Sequence, residues 1–315
     1  MPESLNIKSY PLSDHFDWFM DKNFQLETRI RAIENEVIQP SLKNSQLKGP
    51  GLKHWVLFLV LFGLTLFTTY LAGGKLYALS LFLILGAHEF GHYFAGVKNG
   101  VRTTLPLFIP APPGLFLLGT FGAMIVIKDP IPNRRVLMEI GAAGPIAGFI
   151  VAVPTLIIGL FLSETVAPTG QSGFSFGSSI IMIMLSKAIL GVTPLSVDFN
   201  IQLHPVALAG WVGLFVTAIN LFPIGQLDGG HILYALIGEK SKIWAKCFFA
   251  FLLFLVYFWP NWGVWAILLL VITRFKSAPL EDEEVLLQKN HKIAGYAAIA
   301  ILFLTFVPVP IEFIQ

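Results

Sequence analysis

The sequence predicts an all-helical polytopic membrane protein, a bundle of about six to seven transmembrane helices with one small re-entrant β-hairpin. Three observations carry this expectation. The 315 residues are 55% hydrophobic and 13% charged, with a mean hydropathy of +0.72, which leaves too little charge to cover a soluble surface. Apolar runs of spanning or near-spanning length recur from Trp55 to Val307. One further apolar stretch, Leu105 to Ile127, is interrupted by Pro106, Pro110, Pro112, Pro113, Gly114, Gly119 and Gly122. Non-helical backbone at membrane depth survives only where it is buried in protein or lines a cavity.

Composition also excludes some functions. A net charge of +2, without a basic cluster interleaved with aromatics, offers nothing to nucleic acid. Cys247 is the single cysteine, so neither an intramolecular disulfide nor a multi-thiolate zinc site can form. It falls in an apolar run and reads as packing.

Residues 1–53 read as a cytoplasmic N-terminal extension. Phe16, Met20, Phe24, Ile30, Ile33 and Val37 keep an apolar stripe at near-helical spacing between Ser13, an N-cap, and Pro40. That stripe suits a packing or membrane-surface face. Residues 54–75 hold the first span, Trp55 to Leu71, and end in the short turn Gly73-Gly74-Lys75, which makes the next helix an antiparallel neighbour.

Residues 76–238 form the core. Its first span, Leu76 to Val97, contains the motif His88-Glu89-Phe90-Gly91-His92. The stretch from Leu105 to Ile127 follows, and the β-branched and aromatic residues near its end favour a hairpin. Val136 to Leu162 is the next span, and its segment Gly141 to Gly148 places small residues on one face. Such a face admits a close helix or shapes the floor of a cavity. Ser163 to Pro205 is a long connection whose apolar piece, Ile180 to Leu190, is short for a crossing and either lies at the interface or folds against the bundle. Val206 to Leu221 then runs into Asn220-Leu221-Phe222-Pro223-Ile224-Gly225-Gln226-Leu227-Asp228-Gly229.

Residues 239–315 supply the C-terminal spans, Ile243 to Phe258, Trp262 to Thr273 and Ile293 to Val307, with an acidic loop at Glu281 to Glu284. Lys and Arg concentrate in the loops of one side, including Lys98, Arg102, Arg134, Arg135, Lys240 and Lys292. That side is cytoplasmic by the positive-inside rule, and the N-terminus lies there too.

Ionisable side chains inside an apolar span mark a functional site. A lone buried histidine is more often a hydrogen-bonded core residue, but His88 and His92, four apart, share a helix face and can turn ring nitrogens to one Zn²⁺. Glu89, about 100° around the helix, can act as general base on a water. Catalytic zinc needs a third protein ligand. Asp228, at the end of an apolar span and freed by Pro223, Gly225 and Gly229, is the best candidate, against the alternative of an exposed helix cap. Asn220 either hydrogen-bonds carbonyls freed near Pro223 or holds substrate backbone or a developing oxyanion. His231 reads as structural, Glu139 as an interfacial ion-pair partner of Arg134 and Arg135, and nothing recruits His15, His54, His204 or His291.

Together, H-E-F-G-H at His88 to His92, G-P-I-A-G at Gly144 to Gly148 and N-L-F-P-I-G-Q-L-D-G at Asn220 to Gly229 resemble the site-2 protease family of intramembrane zinc metalloproteases, across Leu76 to Leu236. The resemblance implies one catalytic Zn²⁺ bound by His88, His92 and Asp228, with Glu89 catalytic. It also implies substrate handling by Asn220 and Pro223. No stretch is long and polar enough for a PDZ domain, and with Gly119-Thr120-Phe121-Gly122-Ala123 this is similar to the PDZ-less cyanobacterial and plastid group. The implied activity is cleavage of membrane-anchored, single-pass substrates within the bilayer, with the hairpin around Gly119 and Gly122 binding the unwound strand. The competing reading is a non-proteolytic scaffold or holdase that keeps zinc for stability. The sequence leaves oligomeric state open, and its lack of a transit-like leader favours a bacterial inner membrane.

Overall fold

A computed structural model of the chain describes residues 51–112, 118–167, 173–196, 199–273, 280–282 and 285–314. The amphipathic stripe from Ser13 to Val37, with His15, lies outside the described residues, as do Pro113, Gly114, Glu283 and Glu284.

The described chain is mostly helical. Helix α1 spans Leu52–Lys98 and breaks at Gly74, whose φ of 79° and ψ of −178° belong to glycine alone. The two limbs fold back on each other: Phe62 of the first meets Phe82 of the second edge to face at 4.9 Å. The antiparallel pair expected from the short turn is thus present, with one glycine as its corner.

Against this helical hairpin lies a β-hairpin. Strands β1 (Leu107–Pro110) and β2 (Thr120–Met124) pair antiparallel, with an irregularity between Ile109 and Pro110. Phe108 stacks on Phe82 at 5.0 Å and meets Phe62 edge-on at 5.5 Å, so it wedges into the seam between the limbs. Tyr77 donates its hydroxyl to the Leu118 carbonyl at 3.0 Å. At the base of the hairpin Thr103 bridges Ile127, and Arg102 grips Asp129 with its main-chain amide, Nε and an Nη.

Short strand β3 (Ile131–Asn133) leads into α2 (Arg134–Phe161). Asn133 caps this helix, its side chain accepting from the Val136 amide at 3.1 Å. Beyond α2 come β4 (Glu164–Val166), β5 (Gly173–Phe176), α3 (Ile180–Leu190) and β6 (Asn200–Gln202). The connection expected to hold only one short apolar piece therefore also carries three strands, with β4 pairing to β6. Helix α4 (Pro205–Asn220) packs on α2 through glycines, because a side chain at Gly159 would collide with the Ala207 backbone and one at Gly210 with Leu156.

A turn at 221–227 separates α4 from α5 (Asp228–Ile237). Helices α6 (Ser241–Leu255), α7 (Asn261–Thr273) and α8 (Lys289–Thr305) complete the bundle. Strand β7 (Leu280–Asp282) pairs in parallel with β3, and β8 (Ile311–Ile314) pairs antiparallel with β5. Indole N–H groups tie this C-terminal segment down: Trp259 donates to the Ile311 carbonyl and Trp262 to that of Pro308, each at 2.7 Å.

Two of these helices, α1 and α2, are long and apolar enough to cross a membrane, while Ile180–Leu190, Pro205–Asn220 and Asn261–Val271 are apolar but shorter. Both long helices expose large apolar side chains, Leu83, Phe94, Ile150 and Phe161 among them. Exposed apolar surface on long helices of this kind marks a membrane or protein interaction face.

Candidate metal centre

The second limb of α1 runs against α2, and small residues set their separation. A side chain at Gly91 would meet the Ala143 carbonyl at 2.6 Å. One at Gly144 would occupy the position of the His92 ring, and one at Gly148 would touch His88 at 3.1 Å. The glycines at 144 and 148 are thus one helical turn apart, opposite histidines one turn apart. The small-residue face of α2 serves both purposes weighed from the sequence: it packs closely, and it forms the floor beneath both imidazoles.

His88 and His92 are buried, and Asp228 begins α5 with its side chain 16% exposed. The three converge. His88 Nε2 lies 3.2 Å from Asp228 Oδ2, His92 Nε2 lies 3.2 Å from the same oxygen, and the two ring nitrogens are 3.1 Å apart. Four bonds of about 2.0–2.1 Å directed tetrahedrally, as zinc prefers, hold their donor atoms about 3.3 Å apart. The observed triangle has that edge.

Hydrogen-bond chemistry leads to the same conclusion. His92 Nδ1 is 2.8 Å from the Ile140 carbonyl, which can only accept, so Nδ1 carries the proton and a neutral ring turns the Nε2 lone pair inward. That lone pair faces a carboxylate oxygen. His88 Nε2 meets three polar atoms, from His92, Asp228 and Asn220, and one ring nitrogen cannot satisfy them all. A cation at the centre relieves both conflicts. Among the described residues this is the one group of three His, Cys, Asp or Glu side chains that could hold a metal ion.

Glu89, 4% exposed, sits within electrostatic reach of all three. Its carboxylate also accepts from the Ile125 amide, just beyond β2. Asn220 closes the group, its Nδ2 3.3 Å from His88 Nε2. Pro223 lies in the turn between α4 and α5. Gly119, φ 72°, lies close to the first limb of α1, where a side chain would meet the Thr68 carbonyl at 2.6 Å. Gly122, φ 101°, has open space where a side chain would point.

Other expectations are refined. Glu139 is indeed an ion-pair residue, but its partners are Lys98, Arg135, Asn99 and His291, with Arg134 instead donating to the Tyr234 carbonyl. His291, which nothing in the sequence recruits, is therefore engaged, because the start of α8 packs where α1 ends and α2 begins. His204 caps α4 by accepting from the Val206 amide. His231 lies against Gly141, where an added side chain would meet its Cβ at 3.1 Å. Cys247 is exposed rather than packed. Ile140, Gly91 and Ile125 escaped notice because they act through backbone atoms or through the absence of a side chain, which residue chemistry does not advertise.

A helical bundle with an apolar exterior, holding two histidines and an aspartate around one point beside a buried glutamate, has the side chains that a metallopeptidase centre requires. Comparison with known proteins agrees: residues 76–255 match Peptidase family M50, and the chain belongs to that family, the site-2 proteases. It is 30% identical over 239 residues to probable zinc metalloprotease EGY2, chloroplastic, of Arabidopsis thaliana, covering 75% of this chain and 42% of that protein. It is 35% identical over 164 residues to probable zinc metalloprotease EGY1, chloroplastic, of the same plant, covering 51% and 29%. The chain thus spans less than half the length of these curated relatives. Their names place them in chloroplasts, which lends no support to a bacterial inner membrane for this chain.

Proposed function

We propose that this protein is an intramembrane zinc endopeptidase that cleaves membrane-anchored, single-pass substrates within or near their transmembrane helices. The observation that carries the reading is the His88–His92–Asp228 triangle with tetrahedral spacing, next to a buried glutamate that a purely structural zinc would not need. His88, His92 and Asp228 would hold the ion. Zinc bound there would supply Lewis acidity, lowering the pKa of a water toward about 7 and polarising a carbonyl.

The protein's own groups do the rest. Glu89 takes the proton of the attacking water and delivers it to the departing amide nitrogen. His92 is held in one tautomer by Ile140, so its orientation survives each cycle. Asn220, next to His88, donates to the substrate carbonyl as negative charge develops. A helix hides its amides, so the substrate unwinds first, and the outer edge of β2 offers it a strand to pair with. Gly122 keeps that edge open, whereas Gly119 anchors the hairpin. In this reading the hairpin is re-entrant, the chain crosses the membrane several times, and the ends bearing Lys98, Arg102 and Lys292 face the cytoplasm. Residues 76–238 form the catalytic core, with residues 1–53, 54–75 and 239–315 as its extension, first span and C-terminal spans.

Glu89→Gln tests the proposal against a scaffold role. In purified protein the variant retains zinc and loses cleavage of a membrane substrate, whereas a scaffold keeps its cellular phenotype. Wild-type protein without metal or hydrolysis would sink the reading.

A further inference from the structure

Beside the metal centre, an apolar groove of about 1040 Å³ runs between α5, α6 and α8. Its polarity is graded. Lys292 and Tyr296 line it from the start of α8 and Trp244 from the first turn of α6, while Phe251, Phe303 and Phe306 line it toward the ends of those helices. The two helices run in the same direction, because Phe251 and Phe306 meet at 6.1 Å toward their C-terminal ends and Trp259 just beyond α6 donates to the Ile311 carbonyl just beyond α8. Trp244, Tyr296 and Phe303 are each more than half exposed, so the groove opens sideways to its surroundings. Among the described residues its lining holds one cation and no carboxylate.

A cation and two amphipathic aromatics above an apolar trough are the chemical complement of an anionic amphiphile. Trp and Tyr favour the headgroup level of a bilayer, and basic pockets between helices on the cytoplasmic side hold anionic headgroups. We propose that the groove binds one anionic phospholipid, its phosphate at Lys292 and an acyl chain along Phe251, Phe303 and Phe306. The site rests on the membrane topology proposed above and not on proteolysis. Pro223 and Gly229 also line the groove, so it extends to residues on either side of Asp228.

The test uses the full-length protein in phosphatidylcholine nanodiscs containing either brominated phosphatidylglycerol or brominated phosphatidylcholine. Tryptophan quenching is read, and Trp244→Phe isolates the contribution of Trp244. Half-maximal quenching of Trp244 is expected at about a fivefold lower mole fraction of phosphatidylglycerol. Lys292→Ala should abolish that preference and Lys292→Arg restore it. Ile299→Phe, which fills the groove, should reduce quenching by both lipids, with circular dichroism confirming that each variant is folded. Equal quenching by the two lipids, or an unchanged preference in Lys292→Ala, overturns the proposal. Relief of quenching by an added apolar transmembrane peptide, without any lipid preference, assigns the groove to a peptide and also overturns it. No arm requires cleavage, so loss of activity and loss of the lipid site are separately visible.

Discussion

Gly144 has no side chain, and that is its contribution. A methyl group there would coincide with the His92 ring, so Gly144→Ala should swing the imidazole away from Asp228. The expected result is loss of stoichiometric zinc by atomic absorption and of proteolysis with it, in a protein that still folds into its bundle. Gly63→Ala, with open space around the added carbon, should leave metal content unchanged. Asp228→Asn removes the charge that two imidazole lone pairs face, and zinc affinity should fall by at least about tenfold. The residues of the centre were legible in the sequence because the two histidines and the carboxylate are costly in an apolar run and each stands in a recognisable spacing. Their supports were legible only as a pattern of small residues, since four-residue glycine spacing announces a close contact without saying what lies across it.

At the scale of elements, α1 depends on one conformation. The φ and ψ of Gly74 lie where a Cβ is strained by about 1–3 kcal/mol, so Gly74→Ala should lower thermal stability by that amount although nothing crowds the new methyl. Helix α2 depends on its cap, and Asn133→Ala should cost about 1 kcal/mol in the same measurement.

The base of the β-hairpin depends on charge. Hydrogen bonding from the Arg102 guanidinium holds the Asp129 carboxyl below its ordinary range. A carboxyl lowered on folding stabilises fully above its unfolded pKa, about 3.9, and that contribution fades as pH falls through the lower folded value. The stability difference between wild type and Arg102→Ala should therefore be flat from pH 7 to about 5 and shrink in stronger acid. A difference that grew in acid would assign the clamp to another group. Helices α1 to α4 emerge from apolar length and period. Strands β3 to β8 do not, because strands of three or four residues pair across long stretches of chain and leave no local period to read.

For the molecule as a whole, the apolar exterior and the polar centre make one demand: water must reach a site walled by lipid-facing helices. Two helices meet the length and apolarity of a crossing, and the longer contains two limbs. The span expected to end near Leu221 is α4, and the break expected at Pro223 and Gly225 is the turn that leads to Asp228 at the start of α5. Sequence hydropathy sees the apolar content of these pieces, and their corners show only as glycine and proline. Whole-molecule topology is testable by cysteine labelling in sealed vesicles. Cys247→Ser bearing a new cysteine at Lys98 or at Lys292 should label from the cytoplasmic side alone.

The contact between His92 and Ile140 has a practical corollary. Since the acceptor is a peptide carbonyl, every one of the common substitutions at position 140 leaves it in place, and an alanine scan would score this partner as dispensable. Exposing its contribution takes chemistry on the main chain. An α-hydroxy acid installed at position 141 would convert the Ile140 carbonyl into a feebler ester acceptor, and the imidazole would then be free to exchange its proton between nitrogens.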